Sequence, residues 1–507
     1  MMKFGKVLLT SLLGIHYVVI YPVIQNASIV SVVLFLLGLV GILLGRLRFI
    51  PKLPFRTTGV IAALLFANIT LELSSLPKQT RNNIAIVGGS ILTGLPDAPI
   101  LARGTVLIDH YGTIIGVGES DSIAVPDGYE LIDASGKFVM PGLINAHSHL
   151  FQDAGDPDLP MDLTSMVVPG YRHTIDMYLA DSYLGKRYLA AIMRANVKKE
   201  LYTGVTTLRS IGDINFLDVA LRDAILSGEA VGPNLLVAGK ILAVTGGHAA
   251  DIGLVFNGPI EARRAVRELL RNKVDFVKIT STGGVADSKR LGEAGELQMT
   301  PEEIRAITDE AHRKNILVAA HAESTAGVKE ALLAGVDNIE HGAVLDAEMI
   351  ELFRDNPNSL RGFTSLHPTL SVFASGPDWT DETRADPDLS VIGHNLTMVG
   401  EQLIKGFQQA VNNNVLVGLG TDSGFVSHES AWKELKLFVE LGKVSPEMAI
   451  HMGTLATAQS IGIADQSGSL EVGKRADLLV VDGDPRVDLS LIGRPSLISV
   501  NGYIHHR

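Results

Sequence analysis

Pro141-Gly-Leu-Ile-Asn-Ala-His-Ser-His149 is a short apolar run that stops on two histidines two residues apart. In a strand, residues i and i+2 point to the same side, so His147 and His149 face one way at its carboxyl end. The design recurs. Further short apolar runs lie at 205–211, 235–239, 276–280, 317–321, 338–341, 362–370 and 415–422, separated by stretches of helical character. Eight strand–helix units over about 250 residues or more fit an α/β fold of the (β/α)₈ barrel type. An open doubly wound sheet shares the alternation, so periodicity alone leaves both architectures standing.

What favours a site is where the polar residues fall. His321 ends the fifth run, His341 the sixth and Asp422 the eighth, and barrel enzymes draw their catalytic groups from the ends of several strands. Converging neutral imidazoles suit a zinc-like ion. Lys278 is the odd residue, set in Asp-Phe-Val-Lys-Ile-Thr and in phase with Phe276 and Thr280. The bland reading is a lysine that snorkels outward or pairs with a carboxylate. Burial, however, favours the neutral amine, which can take up carbon dioxide and become a carbamate able to bridge two metals. Two divalent ions, one carbamate, one Asp and one hydroxide sum to about +1, a charge suited to a developing oxyanion.

Composition narrows the class. Apolar residues make up 46% of the 507 and charged residues 19%, which excludes a disordered chain. The net charge of -12 argues against nucleic acid as a partner. Cysteine is absent, which excludes disulfides, thiolate metal sites and a cysteine nucleophile.

The amino-terminal head differs from the body. Residues 1–76 hold six basic side chains and one acid, a net of +5, so the remainder carries -17. Between Lys6 and Arg46 lie 39 residues without Asp, Glu, Lys or Arg. As one helix they would extend roughly 58 Å, nearly twice the hydrocarbon thickness. Two crossings, 7–24 and 28–45, fit better, with a turn at Gln25-Asn26. A third segment, 57–76, is shorter and spans only if Glu72 sits at the interface. The basic residues up to Lys6 and from Arg46 to Arg56 are expected inside, so three spans place the body on the outer face of a cell membrane. A cleaved signal peptide is the competing reading of the first segment.

Flanking the barrel runs, 84–92, 104–118 and 131–139 read as a small antiparallel sheet. The tail segments 468–482 and 496–504 return to strands. The expected organisation is a membrane region over 1–76, a composite β-sandwich from 83–140 and 468–507, and a barrel over 141–467.

The motifs quoted above, with Gly283-Gly284-Val285, Ile339-Glu-His-Gly342, Gly420-Thr-Asp422, Thr245-Gly-Gly-His248 and the stretch 468–482, resemble the amidohydrolase superfamily. The likeness covers about residues 83–505 and is nearest its imidazolonepropionase-related and Xaa-Pro-dipeptidase-like branch, which includes ochratoxin-type amidases. It implies a barrel with a flanking sandwich and two divalent metals, usually zinc. By position, His147 and His149 bind one metal, His321 and His341 the other, carboxylated Lys278 bridges them, and Asp422 ligates the first and shuttles the proton. The head is no part of that pattern. Two further departures stand out: Ser210 follows Arg209 where relatives commonly carry an acid, and the loop 286–298 lacks the usual Ser-Pro start.

His248, after a Gly pair, and His367, in Leu-His-Pro-Thr, are expected to contact substrate, and a loop histidine without a role is the alternative. His428 and Glu429 read as caps of the helix that follows. The expected activity is hydrolysis of an amide bond by a metal-activated water, with Asp422 handing the proton to the leaving nitrogen. A dipeptide-like or N-acyl amino-acid substrate leads, and a cyclic amide of imidazolone type is the runner-up. A catalytically inactive barrel serving as a membrane-tethered binding protein is the rival class. Expected partners are a small-molecule substrate and the lipid bilayer, with the oligomeric state open.

Overall fold

β1 (Ile84–Ile91), β2 (Leu101–Ile108), β3 (Ile114–Glu119), β4 (Glu130–Asp133) and β5 (Phe138–Pro141) open the body. The computed structural model of the chain describes residues 81–96, 98–152, 180–374 and 387–506. The chain divides into two units, 1–78 and 79–507, and every described residue belongs to the second. The expected membrane helices over 7–24, 28–45 and 57–76 lie outside the described residues. Among the described residues no helix is long and apolar enough to cross a membrane.

The expected run 104–118 is two strands, not one. They break at Gly112, whose φ of +84° and close approach to the Asn501 carbonyl leave no room for a Cβ. Likewise 131–139 splits into β4 and β5. Both run parallel to β1, along the edge opposite antiparallel β2, so the sheet is mixed where an antiparallel one was expected.

Four-to-six-residue strands with every residue buried then follow: β6 (Leu143–Ser148), β7 (Val205–Ser210) and, further on, Val277–Thr280, Val318–Ala322 and Asn338–His341. Burial on both faces is what parallel strands under a layer of helices require. β8 (Asn234–Val237), β9 (Leu242–Val244), β10 (Leu254–Phe256), β11 (Val277–Thr280), β12 (Val318–Ala322), β13 (Asn338–His341) and β14 (Ser365–His367) complete the set. Two ladders result, β6-β7-β8 and β10-β9-β11-β12-β13-β14.

Single contacts close the ring between them. The Asp275 amide donates to the Val237 carbonyl at 2.8 Å, and the Val237 amide donates to the Asp275 carboxylate at 2.9 Å. On the far side, the Leu366 amide donates to the Leu416 carbonyl at 3.0 Å, and the Ala146 amide to the Leu419 carbonyl at 2.9 Å. The run 415–422 thus takes the eighth position between β14 and β6 without forming a regular strand. Gly418, Gly420 and a left-handed Asp422 (φ +59°) interrupt it. A closed ring of eight positions excludes the open sheet.

The helices between strands are amphipathic. Gly258–Arg271 (α1) buries Ala262, Ala265, Val266 and Leu269, the i, i+3, i+4, i+7 stripe that packs on a sheet. Pro301–His312 (α2) starts on a Thr300–Glu303 capping box with Pro at its first position.

β15 (Leu478–Val481), β16 (Leu497–Val500) and β17 (Tyr503–His506) add to β5, so both ends of the body build one structure, in the order β17-β16-β15-β5-β1-β2-β3. By hydrogen bonding it is one continuous sheet and not the two sheets of the expected sandwich, because β5 pairs with β1 and also with β15. It has its own apolar core, including Ile86, Val106, Ile114, Leu478 and Leu497.

Candidate metal centre

At the carboxyl end of the ring the expected donors converge in two sets, His147, His149 and Asp422 in one and His321 and His341 in the other, with the carboxylate of Glu323, which was not expected, beside the second. The Nε2 atoms of His147 and His149 lie 3.3 and 3.4 Å from Asp422 Oδ1. Their other nitrogens are spoken for. His147 Nδ1 donates to Glu340 at 2.8 Å and His149 Nδ1 to the Gly212 carbonyl at 2.8 Å. Neither partner can donate, so both Nδ1 atoms carry the proton and both Nε2 lone pairs face Asp422.

In the second set, His321 Nε2 donates to the Gly283 carbonyl at 3.3 Å, which leaves Nδ1 as its lone pair. His341 Nδ1 meets Thr369 Oγ1 at 2.8 Å, leaving Nε2. The His341 ring stands between the sets, 5.0 Å from His147 and 4.6 Å from His321, centroid to centroid.

Lys278 rises from below. It pairs in register with Ala319, while Thr280 pairs with His321, so its Cα lies two residues, roughly 6–7 Å, beneath the histidine. Only a long side chain climbs that distance. Burial pulls its amine down to about 8, against the opposing pull of Glu340 and Asp422. A much larger share of the amine is then neutral near pH 7 than in an exposed lysine.

The charges suit a cation. Burial holds His149 at about 4 and keeps His321 and His341 well below the usual imidazole range, so all three are neutral. Burial alone would raise Asp422, but its contacts with His147, first among the imidazoles round it, hold its carboxyl below the ordinary carboxylate range. Asp422 Oδ1 is nevertheless buried without a hydrogen-bond partner. Three neutral imidazoles with free lone pairs and an orphaned carboxylate oxygen fit divalent ions.

Backbone strain gathers here as well. Asp422 (φ +59°), His341 (φ +70°) and Thr369 (φ +49°) are all left-handed, at about 1–3 kcal/mol each.

Beneath the donors lies a polar plug that strand patterning did not reveal. Arg209 crosses the ring interior, donating to the Ala146 carbonyl at 2.7 Å, to Asn338 at 2.7 Å and to Glu340. Its guanidinium lies 4.7 Å from the centre of the Phe276 ring. Burial would raise Glu340, but Arg209, His367 and His147 hold it well below the usual range. Strict alternation would turn Glu340 outward if His341 points in. The left-handed backbone at His341 breaks the alternation, and both residues reach the interior.

His367 does not meet the expectation of a substrate contact. Its Nδ1 lies 3.1 Å from Glu340 and its Nε2 2.8 Å from Ser460 Oγ, and the residue is fully buried. Both nitrogens are used within the protein. His248 does sit at the centre, its ring 4.4 Å from that of His321 and its Nδ1 2.8 Å from Asp287 in the loop 286–298. His428 caps no helix; it is buried between Glu200 at 3.2 Å and the Gln152 carbonyl at 2.9 Å.

The acid absent directly after Arg209 occurs four residues on. Asp213 accepts from Ser210 Oγ and from the Phe151 amide at 3.0 Å, tying the end of β7 to the chain after His149. Glu434, also unforeseen, accepts from the Leu370 and Ser371 amides at 2.7 and 2.8 Å and so braces the strained Thr369.

The amidohydrolase family profile matches residues 138–503. The chain belongs to the amidohydrolase family. It is 28% identical over 389 residues to ochratoxinase of Aspergillus niger, covering 71% of this chain and 73% of that one. Among solved structures, a protein from Bifidobacterium longum assigned as a prolidase is 36% identical, with a TM-score of 0.72 over 84% of this chain and 95% of its own. A Xaa-Pro dipeptidase with methionine bound in its active site is 30% identical, with a TM-score of 0.69 over 84% and 100%. This amidohydrolase is accordingly a hydrolase of carbon–nitrogen bonds, and the rival reading of an inactive binding barrel is set aside.

Proposed function

We propose that this amidohydrolase cleaves the amide bond of a dipeptide-like or N-acyl amino-acid substrate at a pair of divalent ions. The observation that carries the reading is the juxtaposition of two donor sets across the His341 ring. The likeness to a Xaa-Pro dipeptidase over 84% of the chain supports the substrate class.

His147, His149 and Asp422 would hold one ion, His321 and His341 the other, with Lys278 as carbamate between them. Such a pair, zinc by family resemblance, would polarise the scissile carbonyl and make hydroxide available near neutral pH. The protein's own groups do the rest. Asp422 Oδ1, free of hydrogen bonds, receives the proton of the attacking water and passes it to the departing nitrogen. Phe151 and Phe425 stand edge-on to His149, and Phe373 to His341, an apolar wall that limits water at the ligands.

Elemental analysis with a dipeptide and N-acyl amino-acid panel tests the reading. About two ions per chain and amide cleavage abolished by chelation are expected. Activity in a metal-free preparation, or cleavage of cyclic amides alone, overturns it.

The enzyme is further proposed to be tethered to a cell membrane through 1–76, with the catalytic body on the outer face. The 39-residue stretch without charged side chains supports this. Protease added to intact cells is expected to release an active fragment beginning near residues 78–83. A body protected until lysis refutes the outward orientation.

A further inference from the structure

We propose that Glu323 recognises a positively charged α-amino group beside the scissile carbonyl, which makes the preferred substrate a dipeptide with a free amino terminus. This deepens, and rests on, the amide-hydrolase reading above.

Glu323 leaves β12 two residues after His321, in the cleft between the ends of β11 and β12. Its amide donates to Thr282 Oγ1 at 3.1 Å, and its carboxylate accepts from the Val285 amide. Those bonds hold the side chain in place but use one oxygen only. The other, Oε2, is buried without a hydrogen-bond partner, in a side chain 3% exposed. Among the described residues no lysine or arginine lies within ion-pairing distance; the nearest basic group is His321 Nε2 at 3.8 Å. A buried carboxylate without a cation is costly, and burial, with Asp422 and Asp287 near by, pushes the Glu323 carboxyl well above its ordinary range. Its neighbour Asp287 is already answered by His248 at 2.8 Å, and Asp422 serves the first donor set. Glu323 is the acid left over.

Without a cation a proton answers it; in the working site the candidates are a metal or a ligand group, and the His321 ring discriminates between them. The edge of that ring nearest Glu323 is Nε2, which donates to the Gly283 carbonyl. The lone pair that can bind an ion is on Nδ1, the other ring nitrogen. An ion held by His321 Nδ1 and His341 Nε2 therefore binds away from the Nε2 edge that Glu323 faces. The remaining cation comes with the substrate. In a dipeptide the α-nitrogen is two bonds, about 2.5 Å, from the scissile carbonyl carbon. A carboxylate that reads it must stand within a few ångströms of the ligand imidazoles, as Glu323 does. An N-acylated substrate presents a neutral amide there and leaves the carboxylate uncompensated. Sites built around such a group reject analogues that lack its partner strongly.

The test compares Ala-Met with N-acetyl-Ala-Met in the full-length wild type and in Glu323→Gln. The wild type is expected to prefer the free amine by about a hundredfold or more in kcat/KM. The variant is expected to keep two ions per chain and to show a preference of about tenfold or less, the loss falling mainly on KM for Ala-Met. An unchanged preference overturns the proposal, and so does loss of an ion, which would make Glu323 a metal ligand. Calorimetry with alaninamide and N-acetylalaninamide reads the same site without turnover. If the wild type cleaves neither peptide but binds alaninamide through Glu323, the hydrolytic reading fails and the recognition stands. If alaninamide binds the variant as well as the wild type, the recognition fails whatever the activity.

Discussion

The two halves of the centre carry similar donors but are supported differently. His147 is oriented by Glu340, which is itself held by Arg209 and His367 in the ring interior. His341 and His321 are oriented by Thr369 and the Gly283 carbonyl, both beyond strand ends. One half is braced by a buried ion pair and the other by loop groups. The first should therefore couple ion binding to global stability, whereas the second should respond to local changes without unfolding the barrel.

The largest effect is expected where chemistry and ligation coincide. Asp422→Asn keeps the shape but removes the proton acceptor, so kcat should fall by about a hundredfold or more with the fold intact by circular dichroism. Near-normal turnover would remove Asp422 from the reaction.

Glu340→Gln probes the braced half. It leaves Arg209 buried without its counter-charge, so unfolding free energy should drop by about 3–5 kcal/mol. Affinity for one of the two ions should weaken by about 10–100-fold. A variant that loses affinity with no change in Tm would break the proposed coupling.

Thr369→Val is the matching change in the loop-supported half. It removes the oxygen that meets His341 Nδ1 while preserving volume. Roughly tenfold weaker binding of one ion is expected, with Tm shifted by only a few degrees. If both variants release both ions together in a chelator titration, the halves act as one unit and the contrast fails.

The smallest effect concerns Glu434 behind Thr369. Burial, partly offset by its bonds to Ser371 and Leu370, raises its carboxyl to about 7 from 4.5. Between those values the unfolded chain has released a proton that the folded chain keeps. The stability associated with this group is thus complete below about pH 4.5 and is lost as pH rises towards 7, with a slope of at most about 1.4 kcal/mol per pH unit. Denaturant titrations across that window should show the slope in the wild type and its disappearance in Glu434→Gln; equal slopes would refute it.

Much of the site was legible because each ligand position ends a short apolar run. His147, His149, His321, His341 and Asp422 all do so, and the structure brings them together with Lys278. His248, after its Gly pair, lies beside His321. His367 was misjudged, since a strand-end histidine in a barrel can point at the site or into the plug beneath it, and sequence position is the same in both cases. Glu340 was missed because the alternation rule turns the immediate neighbour of a ligand away, and Glu323 because it follows the last residue of β12, beyond the run end that marks a ligand. Asp213 and Glu434 act from segments whose proximity only the closed ring creates.

The sequence alone determined the alternation of strands and helices, the run-end ligands and the separation of a basic, apolar head from an acidic body. Those features are local, written in periodicity and in charge along the chain. Ring closure, the partnership of Arg209 with Glu340 across the interior and the uncompensated oxygen of Glu323 were decided by the tertiary structure. Each depends on groups far apart in sequence, or on a left-handed residue that cancels the two-residue period. No local pattern encodes which buried charge finds a partner, because that is set by the low-dielectric space the whole fold encloses.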